Sequence, residues 1–210
     1  MALDQITAGI ITSAVRLAIA LLIFWTYYKN KNKIAFYFGM FFLLFSAHGW
    51  FRTLSVVTGE AFWYFIHRVA LTFGTVVILM ALSTIGVEWI KKYKIALITA
   101  IASVLLAFNE AFNLGGVAAE QSNIIFLLPT FSIGGLGLII AGYYFNSIGK
   151  SLPGLGKNLM VTGFVLEGLL NFAAVWLIPA GLTGLAFYLG LIFTVMIGIG
   201  WRLCLSREGI

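Results

Sequence analysis

Long apolar runs separated by short polar connections follow one another along almost the whole chain. Each run is about 20 residues long, the length that a helix needs to cross the roughly 30 Å hydrocarbon core of a bilayer. The alternating ten-residue segments of a membrane β-barrel are not visible. The pattern therefore predicts an all-α polytopic membrane protein, a single domain over residues 1–210. Its seven transmembrane helices are expected at 7–28, 34–57, 62–86, 94–109, 123–146, 157–178 and 181–204.

The amino-acid composition supports this interpretation. Of the 210 residues, 61% are hydrophobic and only 10% are charged, and the mean hydropathy is +1.04. Since a soluble domain carries roughly 25% charged residues, this chain could not cover a globular surface with polar side chains. Its longest connection, from Asn109 to Ser122, is expected to be a loop, and the fourth helix before it could continue toward Phe112.

The basic residues in the connections and at the helix ends all fall on one side of the predicted bundle. They are Lys29, Lys31, Lys33, Lys91, Lys92, Lys94, Lys150, Lys157, Arg202 and Arg207. The opposite side carries Asp4, Glu60, Glu110 and Glu120 and neither lysine nor arginine. Because cytoplasmic loops are enriched in lysine and arginine, the N-terminus should lie outside the cell membrane and the C-terminus in the cytoplasm. This placement also explains the net charge of +6, so no nucleic-acid partner is expected.

A faint internal repeat relates the first and fifth helices. Leu22-Ile23 precedes Tyr27-Tyr28 at the same spacing at which Leu138-Ile139 precedes Tyr143-Tyr144. Helices one to three would then match helices five to seven, with the fourth as a linker. Parallel repeats of this 3+1+3 kind occur in transporters.

Few ionisable residues remain inside the predicted helices, and these are the candidate functional residues. They are Arg16, His48, Arg52, His67, Arg68 and Glu167, with Asn171 beside them. Charges inside a bilayer cost several kcal/mol and usually mark a function or a buried pair. At a rise of 1.5 Å per residue, Arg16, His48 and Glu167 lie roughly 14–15 Å deep, near the midplane. The others lie about 8 Å deep, in the outer half.

The charge balance of this cluster predicts a ligand. Three arginines face one carboxylate, Glu167, and an excess of buried positive charge is costly without a counter-ion. An anionic small molecule or a lipid headgroup, held by guanidinium groups, would supply that counter-ion. We therefore predict a ligand site in the outer half, with Arg16 and Glu167 as its floor and with His48, Arg52, Arg68 and Asn171 as its walls.

Each candidate also has a structural interpretation. Arg16 and Glu167 could form an ion pair that fixes helix one against helix six. The two outer arginines could reach lipid phosphates or pair with Glu60. His48 could be a neutral histidine bound to a backbone carbonyl group, and His67 could be a histidine at the membrane interface. No cofactor is expected, with one alternative, which is that His48 and His67 ligate a b-type haem.

These observations favour a sensor or receptor that binds an anionic or polar small ligand and signals through a cytoplasmic or membrane protein partner. A small transporter or channel for such a solute and an accessory subunit of a larger membrane complex are the alternatives. An enzyme is less favoured. The last helix lacks the lysine that a retinal Schiff base needs, Asp4 is the only aspartate, and Cys204 is the only cysteine. Retinal pumps, paired-aspartate proteases and disulfide frameworks are therefore excluded.

Overall fold

The long apolar runs form helices. A computed structural model describes residues 2–84, 87–122, 124–148 and 154–208, and every regular element within these ranges is helical. Two helices are short, α4 (Glu88–Lys92) and α6 (Gly116–Ser122), and a π-helical turn (Asn109–Asn113) continues α5. The long helices are α1 (Ala2–Asn30), α2 (Lys33–Thr58), α3 (Ala61–Thr84), α5 (Ile95–Phe108), α7 (Ile124–Ile148), α8 (Gly154–Leu177) and α9 (Thr183–Glu208).

Six of these helices are long and apolar enough to cross a membrane, namely α1, α2, α3, α5 with its π-helical turn, α8 and α9. The described apolar part of α7, Leu127–Tyr143, is shorter. The all-helical prediction is confirmed, and the seventh span stays a prediction. Residues 85, 86 and 123, which belong to the predicted third and fifth spans, and Lys150 lie outside the described residues.

The helices α1, α2, α3, α7, α8 and α9 form a closed ring in this order, because each packs against the next and α9 packs against α1. Helix α5 packs against α3. Thr12 binds the Phe187 carbonyl group near the start of α1, and Trp201 binds Thr26 near its end, so α1 and α9 are parallel. We refer to the end of the bundle that carries Asp4 as the acidic end and to the opposite end, which carries Lys29, as the basic end.

Aromatic side chains fill the interior toward the basic end. Phe38 packs edge-on against Phe145 and Phe164, with ring centroids 4.8 and 5.5 Å apart, and Trp201 lies beside it. These separations are typical of favourable aromatic pairs. The interior of the described bundle is therefore tightly packed and apolar in this half.

Glycines bring the helices of the second half into close contact. A Cβ atom on Gly168 would lie 2.8 Å from the carbonyl oxygen of Gly135, and one on Gly135 would lie 2.8 Å from that of Gly168. Gly156 and Gly200 face each other in the same way, at 2.9 and 2.6 Å. Because a side chain would separate the two backbones, these contacts explain why α7 and α9 are rich in glycine.

The main departure from the predicted layout lies between α5 and α7. Where the sequence predicts a loop, the structure has the π-helical turn and α6, joined through Gly115 and Gly116 at φ angles of 93° and 56°. Glycine adopts these angles without steric cost. Glu110 and Glu120 in this segment are only 2% and 1% exposed, so their predicted place on a solvated loop is wrong.

Candidate functional site

A cavity of about 60 Å³ lies among α1, α2, α7, α8 and α9, in the half of the bundle toward the acidic end. At roughly 30 Å³ per molecule, it has room for about two waters or a solute of a few heavy atoms. Phe45, Phe131, Phe187 and aliphatic side chains form its apolar wall. Its polar wall contains five of the seven predicted site residues, Arg16, His48, Arg52, Glu167 and Asn171.

Arg16 and Glu167 form an ion pair at this cavity, as the sequence predicts. The Arg16 Nη2 and Glu167 Oε1 atoms are 2.6 Å apart, and the two residues are 4% and 3% exposed. Arg16 Nε also donates to Thr194 Oγ1 at 3.4 Å, and the guanidinium group lies over the Phe45 ring at 4.4 Å. A Cβ atom at position 190 would approach both partners within 3.2 Å, so glycine at this position leaves room for the pair.

The second carboxylate oxygen of Glu167 has no hydrogen-bond partner in the protein. This Oε2 atom is buried, although Glu167 lines the cavity. Asn171 donates its side-chain N–H to the main-chain oxygen of Glu167 at 2.9 Å and leaves the carboxylate free. An unsatisfied buried polar atom costs about 1–3 kcal/mol, so a donor group that reached this oxygen would recover that cost.

Arg52 pairs with Glu120 of α6. Both Nε and Nη2 of Arg52 donate to the same oxygen, Glu120 Oε1, at 3.3 and 2.8 Å. The other oxygen, Oε2, is buried without a hydrogen-bond partner. Burial raises the pKa of Glu120, but the nearby Arg52 and Arg68 guanidinium groups lower this pKa more, so it stays below its usual value. Glu120 is therefore held as a carboxylate.

Arg68 lies outside the cavity lining and pairs with Glu110 of the π-helical turn, at 2.8 Å. Its Nε atom donates to the Tyr64 hydroxyl oxygen at 2.9 Å, and Thr130 donates to the other oxygen of Glu110 at 3.1 Å. The guanidinium group lies 4.8 Å from the Phe131 ring centroid and 5.2 Å from that of Tyr64. Cation–π attraction at this range helps to stabilise a buried arginine.

Each buried arginine thus has its own glutamate. The predicted excess of two positive charges is wrong, because Glu110 and Glu120 enter the bundle and neutralise two of the three arginines. Sequence reasoning missed both glutamates by placing them in a loop. The available signal was that the chain has few other acidic residues on the side where the arginines are buried.

The two histidines stack on each other behind the cavity. Their ring centroids are 4.3 Å apart and the planes differ by 25°. His48 Nδ1 lies 3.4 Å from the His67 carbonyl oxygen, and His67 Nδ1 lies 3.1 Å from the His48 carbonyl oxygen. Since a carbonyl oxygen only accepts, both Nδ1 atoms carry the proton. His48 lines the cavity, whereas His67 is fully buried and its Nε2 atom has no partner.

This histidine geometry does not fit the haem alternative. Two axial ligands face each other across the iron, whereas these rings stack directly against each other with their Nδ1 atoms engaged by backbone. The pair instead joins α2 to α3 and presents His48 to the cavity.

The fold and the cavity define a class of protein, an all-helical bundle of membrane-spanning type with a small polar cavity among its helices. Comparison with protein-family models, curated proteins and solved structures finds no match to this chain. The function must therefore be inferred from the site itself.

Proposed function

We propose that this chain is a multi-pass protein of the cell membrane with seven transmembrane helices, α7 being the additional one. The N-terminus would lie outside and the C-terminus in the cytoplasm. The positions of the basic residues support this orientation, because Lys29, Lys31 and Lys33 follow α1 while Asp4 marks the other end. α7 is 25 residues long, enough to cross a bilayer.

The arrangement of the ring supports a 3+1+3 repeat. Helices α1, α2 and α3 pack in sequence, and so do α7, α8 and α9. The two sets meet through parallel pairs. The first parallel pair is α1 and α9, and the second is α3 and α7. In the second pair, Arg68 lies over the Phe131 ring and Thr75 donates to the Ile133 carbonyl group. Helix α5 would be the linker, and a two-fold axis along the bundle would relate the two sets.

Within this bundle, we propose that the cavity binds a small polar or anionic solute from the outside and that the protein acts as a sensor or receptor. The observation that carries this proposal is that Glu167, which lines the cavity, keeps a buried Oε2 atom without a hydrogen-bond partner. A donor group on the solute would satisfy it, and Arg16, Arg52 and His48 would surround the rest of the solute. A concave, mostly apolar site with a few convergent polar groups is typical of small-molecule binding.

The aromatic interior favours a sensor over the alternative of a transporter. Below Phe45, toward the basic end, Phe38, Phe145 and Phe164 pack against one another and leave the polar cavity closed on that side. A solute entering from the acidic end would therefore stop at the Arg16–Glu167 pair. The repeat arrangement favours a transporter, so flux must be measured. A sensor of this size would pass its signal to a cytoplasmic or membrane protein partner.

Binding and flux experiments test the proposal. The full chain in lipid nanodiscs is titrated with a panel of small polar and anionic solutes, for the unchanged protein, Glu167→Gln and Glu110→Gln. Glu110 is a matched control, because it is equally buried in an ion pair and does not line the cavity. We expect at least one solute whose affinity falls about tenfold or more in Glu167→Gln, the loss expected for a hydrogen bond to a charged group. Glu110→Gln should change that affinity much less.

Proteoliposomes made from the same proteins separate the two functions. Binding without flux supports a sensor, and flux that Glu167→Gln abolishes supports the transporter. If no solute in the panel binds, or if the control variant weakens binding as much as Glu167→Gln does, the proposed site is wrong.

A further inference from the structure

The contact between Arg52 and Glu120 of α6 narrows the chemical class of ligand that the cavity would bind. We propose that the cavity binds a small carboxylate, or an oxyanion of the same shape, that also carries a hydrogen-bond donor, and that this ligand replaces the Glu120 side chain at Arg52. This inference rests on the function proposed above. It makes Glu120 an internal competitor for the ligand site.

The contact between Arg52 and Glu120 leaves hydrogen-bonding capacity unused. Two N–H groups of Arg52 converge on one oxygen, while the other oxygen of Glu120 is buried without a hydrogen-bond partner. A guanidinium group and a carboxylate pair best through two parallel hydrogen bonds that use both oxygens. Because Arg52 lines the cavity, a free carboxylate there could adopt that geometry.

The charge balance of the site requires that the Glu120 carboxylate leaves when an anionic ligand binds. Arg16 and Arg52 are each neutralised by a glutamate, so an added anion would leave an unpaired negative charge in a buried site. If Glu120 leaves as the anion enters, the charge at the site is unchanged. Glu120 can then return to the water at the acidic end, where its charge is solvated.

The segment that carries Glu120 is a short helix that follows a glycine pair and lies outside the ring of long helices. Helix α6 has only seven residues and begins at Gly116, directly after Gly115. Both glycines have positive φ angles, which glycine adopts without steric cost, and the proposed displacement of α6 would occur by rotation at these two residues. It packs on α3, α7 and the π-helical turn. The turn itself is of a kind that is frequent at functional sites.

Glu167 adds the requirement for a donor. Glu167 and Arg52 line the same small cavity, and the buried Oε2 atom of Glu167 has no hydrogen-bond partner, so a ligand held at Arg52 would engage that atom through a donating group. A hydroxyl group satisfies this oxygen without adding charge. Glycolate, a two-carbon hydroxy acid, is therefore the probe that fits. Acetate lacks the donor, and glycolamide lacks the charge.

Titration of the full chain in nanodiscs with these three probes tests the ligand class. We expect glycolate to bind more tightly than either acetate or glycolamide. Glu120→Gln should raise the affinity for glycolate about tenfold, because it removes a competing charge-assisted hydrogen bond. Glycolamide should gain little. Glu110→Gln is the control and should leave all three affinities nearly unchanged, and Arg52→Gln should abolish glycolate binding.

A labelling experiment tests the displacement of α6. Val117, on the same short helix, is replaced by cysteine in a Cys204→Ser background, and its reaction with a membrane-impermeant thiol reagent is followed. Glycolate should accelerate the labelling, and glycolamide should not. This experiment leaves Glu120 and Arg52 intact, so it decides the question even if Glu120→Gln does not fold.

The outcomes separate this inference from the function on which it rests. If another solute binds in a Glu167-dependent way while Glu120→Gln leaves glycolate affinity unchanged, the exchange is wrong and the cavity remains a binding site. Glycolate binding without faster labelling also overturns the exchange. If nothing binds to the unchanged protein, both proposals fail together.

Discussion

Breaking the Arg16–Glu167 pair one partner at a time should destabilise the protein far more than removing both partners. The two residues are 4% and 3% exposed and their charged atoms are 2.6 Å apart. Replacing Glu167 with leucine leaves a guanidinium group among apolar side chains, and replacing Arg16 with methionine leaves a carboxylate there. The double variant leaves no charge and roughly the same side-chain volume.

The expected size follows from the burial of the pair. Removing one partner of a buried ion pair costs about 3–5 kcal/mol, and an isolated charge at the centre of a bilayer costs roughly 2.5–3.5 kcal/mol on insertion scales. Each single variant should therefore lose about 3 kcal/mol, whereas apolar replacement of both partners is often neutral or stabilising. The interaction free energy should therefore be about 6 kcal/mol, well above the average of about 0.6 kcal/mol for hydrogen bonds between membrane helices.

Reversible unfolding in mixed detergent micelles measures these free energies. Arg202→Met serves as the control, because Arg202 is exposed, and it should change the free energy of unfolding by less than about 0.5 kcal/mol. The reasoning is refuted if both single variants cost less than about 1 kcal/mol and the double variant equals their sum, since the two residues would then act independently. The double variant should also lose solute binding while remaining folded.

Three further predictions follow from other contacts. Gly168→Ala should cost about 1–3 kcal/mol in thermal unfolding, because its Cβ atom would lie 2.8 Å from a backbone oxygen of α7; Gly154→Ala on the same helix meets nothing within 4 Å and should not destabilise. The arginine neighbours of Glu120 lower its pKa, so its ionised carboxylate stabilises the fold. This contribution should be complete above pH 4.5 and be lost as the pH falls further. Thermal unfolding at a series of pH values should show this decline in the unchanged protein and not in Glu120→Gln. His67→Leu should cost about 1–3 kcal/mol by leaving the His48 carbonyl group without its donor, and His67→Asn, which keeps a donor near Nδ1, should recover part of that loss.

The cavity lining could be predicted from the sequence because membrane helices allow few places for charge. Arg16, His48 and Glu167 interrupt apolar runs at similar depths, and side chains of this kind must face the interior of a bundle. The requirement that charged side chains face the bundle interior is therefore enough to predict, from sequence positions alone, that these residues lie close together. The structure brings these three residues to a single cavity.

The partners of Arg52 and Arg68 could not be predicted in the same way. Glu110 and Glu120 lie in a segment with two adjacent glycines and no sustained apolar period, which is the pattern of a loop. Only packing on α3 and α7 decides that the segment is helical and buried. The stacking of His48 on His67 depends on how α2 and α3 are placed against each other, which residue spacing does not define.

The three ion pairs differ in a way that separates structural from functional charge. In all three, an arginine from α1, α2 or α3 meets a glutamate from a later segment, so each pair fixes how the two parts of the chain assemble. Away from the cavity, both oxygens of Glu110 are satisfied, one by Arg68 and one by Thr130. Glu120 and Glu167, whose arginines line the cavity, each keep one buried oxygen without a hydrogen-bond partner. If the ion pairs served only to hold the helices together, every buried carboxylate oxygen in them should have a hydrogen-bond partner, because each bare oxygen costs stability. All three pairs are incomplete, but the bare atoms differ: they are carboxylate oxygens in the two pairs whose arginines line the cavity, and the Nη1 and Nη2 atoms of Arg68 in the third. Only the first two pairs therefore keep free acceptors that a ligand with a donor group would complete.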